Sequence, residues 1–265
     1  MRASDRPVPA PATAPDRPLE DAIGRGDIAI LFQPQIEPAS GRVAGAEALA
    51  RWEGSSSAED LFARAAAAGL SERLSWLVQR KAIRAAAAWD GPLAGLSVSI
   101  NLLPQDLARE GYVEWLLDEV EAAGLDPLRL TVEITESVLV EPIDAVRRLA
   151  RLRAAGIRIA VDDFGTGYAS LAYLTSLPLD MLKIDRSLIA QIVGGSRDRI
   201  VVHAMIRLAR DLDLKVLVEG VETASQLALL AQWGCDLYQG FLGAGALDEP
   251  ALARFVRAST AEAAA

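Results

Sequence analysis

A single cysteine, Cys235, stands in a chain of 265 residues, so no disulfide can form within it; the thiol reads as a small buried apolar residue in a reducing compartment. Histidine is equally scarce. With His203 alone, neither a His-based zinc site nor a Ser-His or Cys-His pair can be assembled, and its place in an amphipathic stretch gives it a structural or surface role. Basic runs are absent too. The formal net charge is −9, from 27 Lys and Arg against 36 Asp and Glu, which argues against a nucleic-acid polymer as partner and leaves an anionic substrate dependent on local cations. No apolar run approaches the length of a bilayer span, and the opening MRASDRPVPAPATAPDRP lacks the hydrophobic stretch of a signal peptide. These absences together predict a cytoplasmic chain without membrane contact.

What is present is ample material for a core: 51% of residues are hydrophobic, and the length fits one α/β barrel or two small domains. Residues 1–18, rich in Pro, Ala and Asp and without apolar periodicity, predict a disordered tail; 19–258 predict the folded unit, and 259–265 a frayed end. Within 19–258, short β-branched runs alternate with longer amphipathic stretches, as when parallel strands are wrapped by helices. Predicted strands are Ala29–Gln33, Val43–Leu49, Leu96–Asn101, Leu128–Ile134, Ile157–Asp162, Met181–Ile184, Val216–Val218 and Leu237–Gln239. Predicted helices are Ser71–Trp89, Pro104–Ala123, Pro142–Ala155, Ile200–Leu212, Ala224–Trp233 and Glu249–Ala258, several closed by a glycine. Eight strand candidates in this order predict a closed α/β (β/α)8 barrel.

In such a barrel the chemistry collects at the carboxyl ends of the strands. Gln33, Glu47, Asn101, Glu133 with Glu136, Asp162 with Asp163, Lys183 with Asp185, Glu219 with Glu222, and Gln239 all fall at or just beyond a predicted strand end. Any one of them alone reads as a solvated loop residue or an N-cap. The succession does not, and the adjacent Asp162 and Asp163 repel each other unless a cation or ligand sits between them. An oxygen-only donor set of carboxylates and an amide suits Mg2+ or Mn2+ ahead of Zn2+. With this many acids, two ions sharing a bridging carboxylate are compatible with the pattern, a geometry that serves displacement at a phosphodiester. Lys183 is placed to donate a hydrogen bond to the attacking water or to developing charge; a structural salt bridge is the alternative. Gly165 to Ser170 resembles the start of a dinucleotide fingerprint but lacks its third glycine and follows two carboxylates, so it reads as a positive-φ turn.

Glu47-Ala48-Leu49 followed by Ala50-Arg51-Trp52, then Asn101-Leu102, Glu133-Ile134-Thr135-Glu136, Asp162-Asp163-Phe164-Gly165-Thr166-Gly167-Tyr168, Lys183-Ile184-Asp185, Glu219-Gly220-Val221-Glu222 and Gln239-Gly240-Phe241 together resemble the EAL-domain family of cyclic di-GMP phosphodiesterases. The resemblance runs from about Leu19 to Val256. It implies a modified TIM barrel whose first strand is antiparallel to the rest, and hydrolysis of cyclic di-GMP to linear pGpG with two Mg2+ or Mn2+ ions. It implies that Glu47, Asn101, Glu133, Asp162, Asp163 and Glu219 hold the metals, with Asp163 bridging. Lys183 resembles the residue that positions the nucleophilic water, and Glu136 the acid that orders the loop after the Asp pair. Glu222 and Gln239 resemble groups that hold water or support the ligands; Gln33, Leu49 and Arg51 resemble substrate contacts, and Gln239 borders the same place. Family members form homodimers near the loop after Asp163, and the same is expected here by resemblance.

Three segments depart from the family pattern: the short Glu53 to Ala58 loop, Arg64-Ala65-Ala66 where an acid is usual, and Gly243 to Ala246 beside the expected base pocket. They touch substrate grip and leave the ligand positions intact. Two alternatives stay open at this stage. One is a barrel that binds cyclic di-GMP or a protein without turnover; the other is an enolase-like barrel with Lys183 as base.

Overall fold

The computed structural model describes residues 15–135, 143–165, 171–194 and 197–263. Glu136, the 166–170 stretch expected to carry a dimer contact, and the tail positions 1–14 lie outside the described residues. Among the described residues the strands close into a barrel in sequence order: β1 (Ala29–Ile36), β2 (Val43–Arg51), β3 (Ser97–Leu102), β4 (Leu130–Thr135), β5 (Arg158–Phe164), β6 (Met181–Ile184), β7 (Lys215–Val218) and β8 (Leu237–Tyr238). β1 is antiparallel to both its neighbours, β2 and β8, while β2 through β8 pair in parallel. The expected modified barrel with a reversed first strand is what forms.

Alternation along the strands sorts the side chains. Ala46, Ala48 and Ala50 of β2 are buried against the outer layer, whereas Glu47, Leu49 and Arg51 face the barrel mouth. Deep in the barrel, Ala160, Met181, Leu217 and Leu237 form an apolar plug, and two residues further along their strands come Asp162, Lys183, Glu219 and Gln239. A period of two thus puts an apolar layer under a polar one. The outer helices bury the rest: α3 (Ser71–Ala88) packs Leu74, Val78, Ala82, Ile83 and Ala86 inward, and α9 (Arg197–Asp211) does so with Val202, Ile206 and Ala209.

Several boundaries differ from the sequence expectation. Arg17 and Pro18, assigned to the tail, begin α1 (Arg17–Arg25): Asp16 caps it by accepting from Leu19 N at 3.1 Å, proline occupies the first turn, and Leu19, Ala22 and Ile23 are buried. At the other end Ser259 to Ala263, expected to fray, continue α11 (Glu249–Ala263). The single helix expected over Pro104–Ala123 is two, α4 (Pro104–Ala108) and α5 (Tyr112–Ala123), parted where Gly111 adopts φ 80°. A helix not foreseen, α2 (Ala58–Ala67), starts at Ser57, whose hydroxyl accepts from Asp60 N. The remaining helices are α6 (Ile143–Ala154), α7 (Leu171–Ser176), α8 (Arg186–Ile189) and α10 (Ala224–Trp233). His203, expected in a structural or surface role, is surface-exposed and stacks on Trp233 with ring centroids 5.2 Å apart.

Candidate active site

Every strand, or the residue just after it, contributes at least one polar residue to the mouth, and β5 contributes both Asp162 and Asp163. Pairing sets them side by side: Gln33 lies opposite Glu47, and Asn101 opposite Glu133. Lys183, on β6, is fully buried among them. Its Nζ lies 2.6 Å from Glu133 Oε2, 2.8 Å from Glu219 Oε1, 3.0 Å from Asp162 Oδ1 and 3.6 Å from Glu47 Oε2. Asn101 Nδ2 donates to Glu47 Oε1 at 2.9 Å, and Gln239 Nε2 donates to Glu47 Oε2 at 2.7 Å and to Glu219 Oε1 at 3.3 Å. Gln239 therefore supports the acids directly.

Adjacent strand residues ordinarily point to opposite faces, so Asp162 and Asp163 need a device to reach one site. The pairing of β5 with β6 supplies it. Val161 pairs Leu182 but Phe164 pairs Ile184, so β5 carries one extra residue across the Asp pair, and Asp163 takes φ 56°. Gly165 follows at φ 102°, the positive-φ turn expected there. As a result, Asp162, Asp163 and Glu219 can each bring a carboxylate oxygen within 4.8 Å of the others. Asp163 N also donates to Asp162 Oδ1 at 2.9 Å.

One ammonium cannot neutralise this many acids, and the proton affinities show the strain. Burial pushes the Glu133 carboxyl well above its usual range, against the pull of Lys183. Burial also raises Glu219 to about 7 and, with the neighbouring Asp162 charge, raises Asp163. Glu47 goes the other way, because Lys183 and the amides of Gln239 and Asn101 outweigh its burial. Lys183 is held protonated: burial works against its charge, but Glu133, Glu47, Asp162 and Glu219 overwhelm that cost. Glu133 Oε1 is buried with no hydrogen-bond partner among the described residues. An orphaned carboxylate oxygen beside converging acids and an amide is the donor chemistry of hard divalent cations, so the residues fit that group.

From this cluster Glu47, Asp162, Asp163, Glu219 and Gln239 line a cavity of about 500 Å3 whose walls include Gln33, Leu49, Arg51, Glu222 and Phe241. Glu222 is at the rim, where its backbone N–H donates to Gln226 in the N-terminal turn of α10. A larger cavity, about 670 Å3, opens at the opposite end of the barrel around Leu128, Arg158 and Lys215. It contains none of the acid cluster, and size alone does not make it the site.

Two features were not foreseen. Ser57, Glu59 and Arg186 line the cavity, positions that carry no signal until the start of α2 and the residue after β6 and Asp185 are seen to border the same space. Behind Asn101 lies a buried relay: Gln79 Nε2 donates to the Asn101 carbonyl at 3.1 Å, Tyr112 OH donates to Gln79 Oε1 at 2.7 Å, and Ser75 Oγ donates to Asp106 Oδ2 at 2.6 Å. Asp106 in turn accepts from Leu103 N at 3.1 Å, which fixes the chain just after the asparagine.

The family model described as the EAL domain matches residues 16–246. The chain is 40% identical over 248 residues to the cyclic di-GMP phosphodiesterase NbdA of Pseudomonas aeruginosa, covering 91% of this chain and 31% of that protein. It is 37% identical to the probable cyclic di-GMP phosphodiesterase PdeB of Escherichia coli, covering 88% of this chain and 45% of that one. The chain thus spans less than half the length of these relatives. Among solved structures, a complex of the PaMucR phosphodiesterase with c-di-GMP superposes with a TM-score of 0.83 at 34% identity, covering 89% of this chain and 98% of that one. A manganese and cyclic di-GMP complex of Klebsiella pneumoniae BlrP1 superposes with a TM-score of 0.71 at 33% identity, over 90% of this chain and 58% of that one. The chain belongs to the EAL domain family.

Proposed function

We propose that this chain hydrolyses one phosphodiester of cyclic di-GMP to linear pGpG. The observation that carries the reading is the acid cluster around Lys183 at the floor of an open cavity, in a family whose relatives are named for this activity. Glu47, Asn101, Glu133, Asp162, Asp163 and Glu219 would hold two Mg2+ or Mn2+ ions. Divalent ions there supply charge for the phosphodiester oxygens and a water acidic enough to attack near neutral pH.

The chain's own residues do the remainder. Lys183 donates to the acids and holds a proton at Nζ, placing a positive donor where charge grows on the reacting water and phosphate. Gln239 and Asn101 fix Glu47 by hydrogen bonds, so it presents its oxygens in one orientation. Gln33, Leu49 and Arg51 line the wall, and Arg51 provides a planar cation suited to phosphate oxygens. Glu222, at the rim, holds solvent beside the reacting phosphate.

The test is incubation of the purified protein with cyclic di-GMP and Mg2+ or Mn2+, with Glu47→Ala in parallel. Formation of pGpG that disappears in the variant supports the reading. Tight binding with no product over hours identifies a receptor instead, and conversion that needs no divalent ion rejects the metal assignment.

A further inference from the structure

We propose that Arg186 is a substrate-binding residue that holds the phosphodiester lying away from the acid cluster. The inference rests on cyclic di-GMP being the substrate and adds a contact to that reading. A cyclic dinucleotide carries two phosphodiesters. Only one can react at the cluster, and the other must be accommodated elsewhere in the same cavity.

That cavity is hostile to anions: its described lining holds seven carboxylates and two guanidinium groups, Arg51 and Arg186. Arg51 already spends part of its fork on its own strand, since Nη1 donates to the Ala50 carbonyl at 2.8 Å. Arg186 makes no ion pair or hydrogen bond from its guanidinium among the described residues, and it is exposed at the rim.

Its stem is nonetheless held in place. Arg186 opens α8 three residues after Lys183, and Asp185 Oδ1 accepts from Ser187 N at 2.9 Å to fix the turn out of β6. Gly220, directly after Glu219, has φ 67°, and a Cβ there would lie 2.3 Å from Arg186 Cβ and 3.2 Å from its Cα. The absence of that Cβ lets the arginine backbone lie against the end of β7, beside a candidate metal ligand. Across the cavity, Glu59 is held below the usual carboxylate range first by the Ser57 hydroxyl and then by its own backbone N–H, with smaller contributions from Arg186 and Arg51. Both guanidinium groups therefore act on the same space above the cluster. A planar fork anchored at its base and unpaired at its tip matches the oxygens of a phosphodiester.

The experiment compares cyclic di-GMP with bis(p-nitrophenyl) phosphate, which carries a single phosphodiester, on the wild-type chain and on Arg186→Ala. Losing one charge-assisted hydrogen bond should raise KM for cyclic di-GMP about tenfold and weaken its equilibrium binding equally. The kcat should stay within about twofold, and hydrolysis of bis(p-nitrophenyl) phosphate should not change. An unchanged KM and affinity for cyclic di-GMP, or equal losses on both substrates, would overturn the assignment. A wild-type chain that binds cyclic di-GMP without cleaving it would refute the proposed activity, yet the affinity ratio of variant to wild type would still decide the role of Arg186. A wild-type chain that does not bind it at all overturns both.

Discussion

Lys183 carries the sharpest conflict in the molecule, because a fully buried ammonium serves both the fold and the chemistry. Three carboxylate oxygens lie within 3.0 Å of its Nζ. Removing one partner of such a group leaves the other charges buried and uncompensated, a cost of about 3 kcal/mol or more. Lys183→Ala should therefore lower metal-free stability in a denaturant titration and slow turnover by about 100-fold or more, while affinity for cyclic di-GMP changes little. Equal losses in binding and turnover would instead make the lysine a substrate clamp. Much of this was readable from residue types: a lysine and acids at successive strand ends, without histidine, point to an oxygen-donor site. What the spacing could not show is how neighbouring Asp162 and Asp163 share one face. That depends on an inserted residue in the β5–β6 pairing and φ 56° at Asp163, and both are properties of the closed barrel.

Among the elements, α1 is tied to the site through one side chain of α2. Arg64 on α2 donates through Nε to Asp16 Oδ2 at 2.9 Å, bonds the Gly54 carbonyl, and lies 4.8 Å over the Trp52 ring. It ties the cap of α1 to the loop that precedes Ser56 to Glu59 on the cavity wall. Gly54 is needed for this fold-back, since a Cβ there would come within 2.6 Å of the Trp52 ring. The sequence pattern marks Arg64 only as a departure from the family; its role as a tie emerges once two helices meet. Arg64→Ala should free the loop and raise KM for cyclic di-GMP about threefold, the scale of one exposed cation–π contact. The kcat should hold steady, so a steady-state comparison in which kcat falls and KM does not would count against the tie. The break between α4 and α5 was illegible for a related reason. The apolar residues on either side of Arg109-Glu110-Gly111 read as one helix, but Gly111 turns at φ 80° and the chain before it is held by the buried Asp106, Ser75 and Gln79 cluster, a contact between distant segments.

For the whole molecule, the acid excess makes stability depend on pH and on divalent ions together. Glu219 is raised from 4.5 to about 7, and Glu133 and Asp163 are raised as well, each chiefly by burial. A raised carboxyl binds its proton more tightly in the folded chain than in the unfolded one. Its contribution is therefore fully present below the unfolded value and is lost as pH rises through the folded value. Without metal, the melting temperature should fall between pH 4.5 and 7, opposite to the slope that carboxylates with lowered pKa produce at more acid pH. Divalent ions bind the deprotonated acids, so saturating Mg2+ or Mn2+ should raise the melting temperature most at the upper end of that window and flatten the slope. Thermal melts across this range in a chelator and in excess metal check both halves. A metal-free melting temperature that climbs steadily to pH 7 would mean that the buried acids are already satisfied without a cation, and the metal site would have to be sought elsewhere.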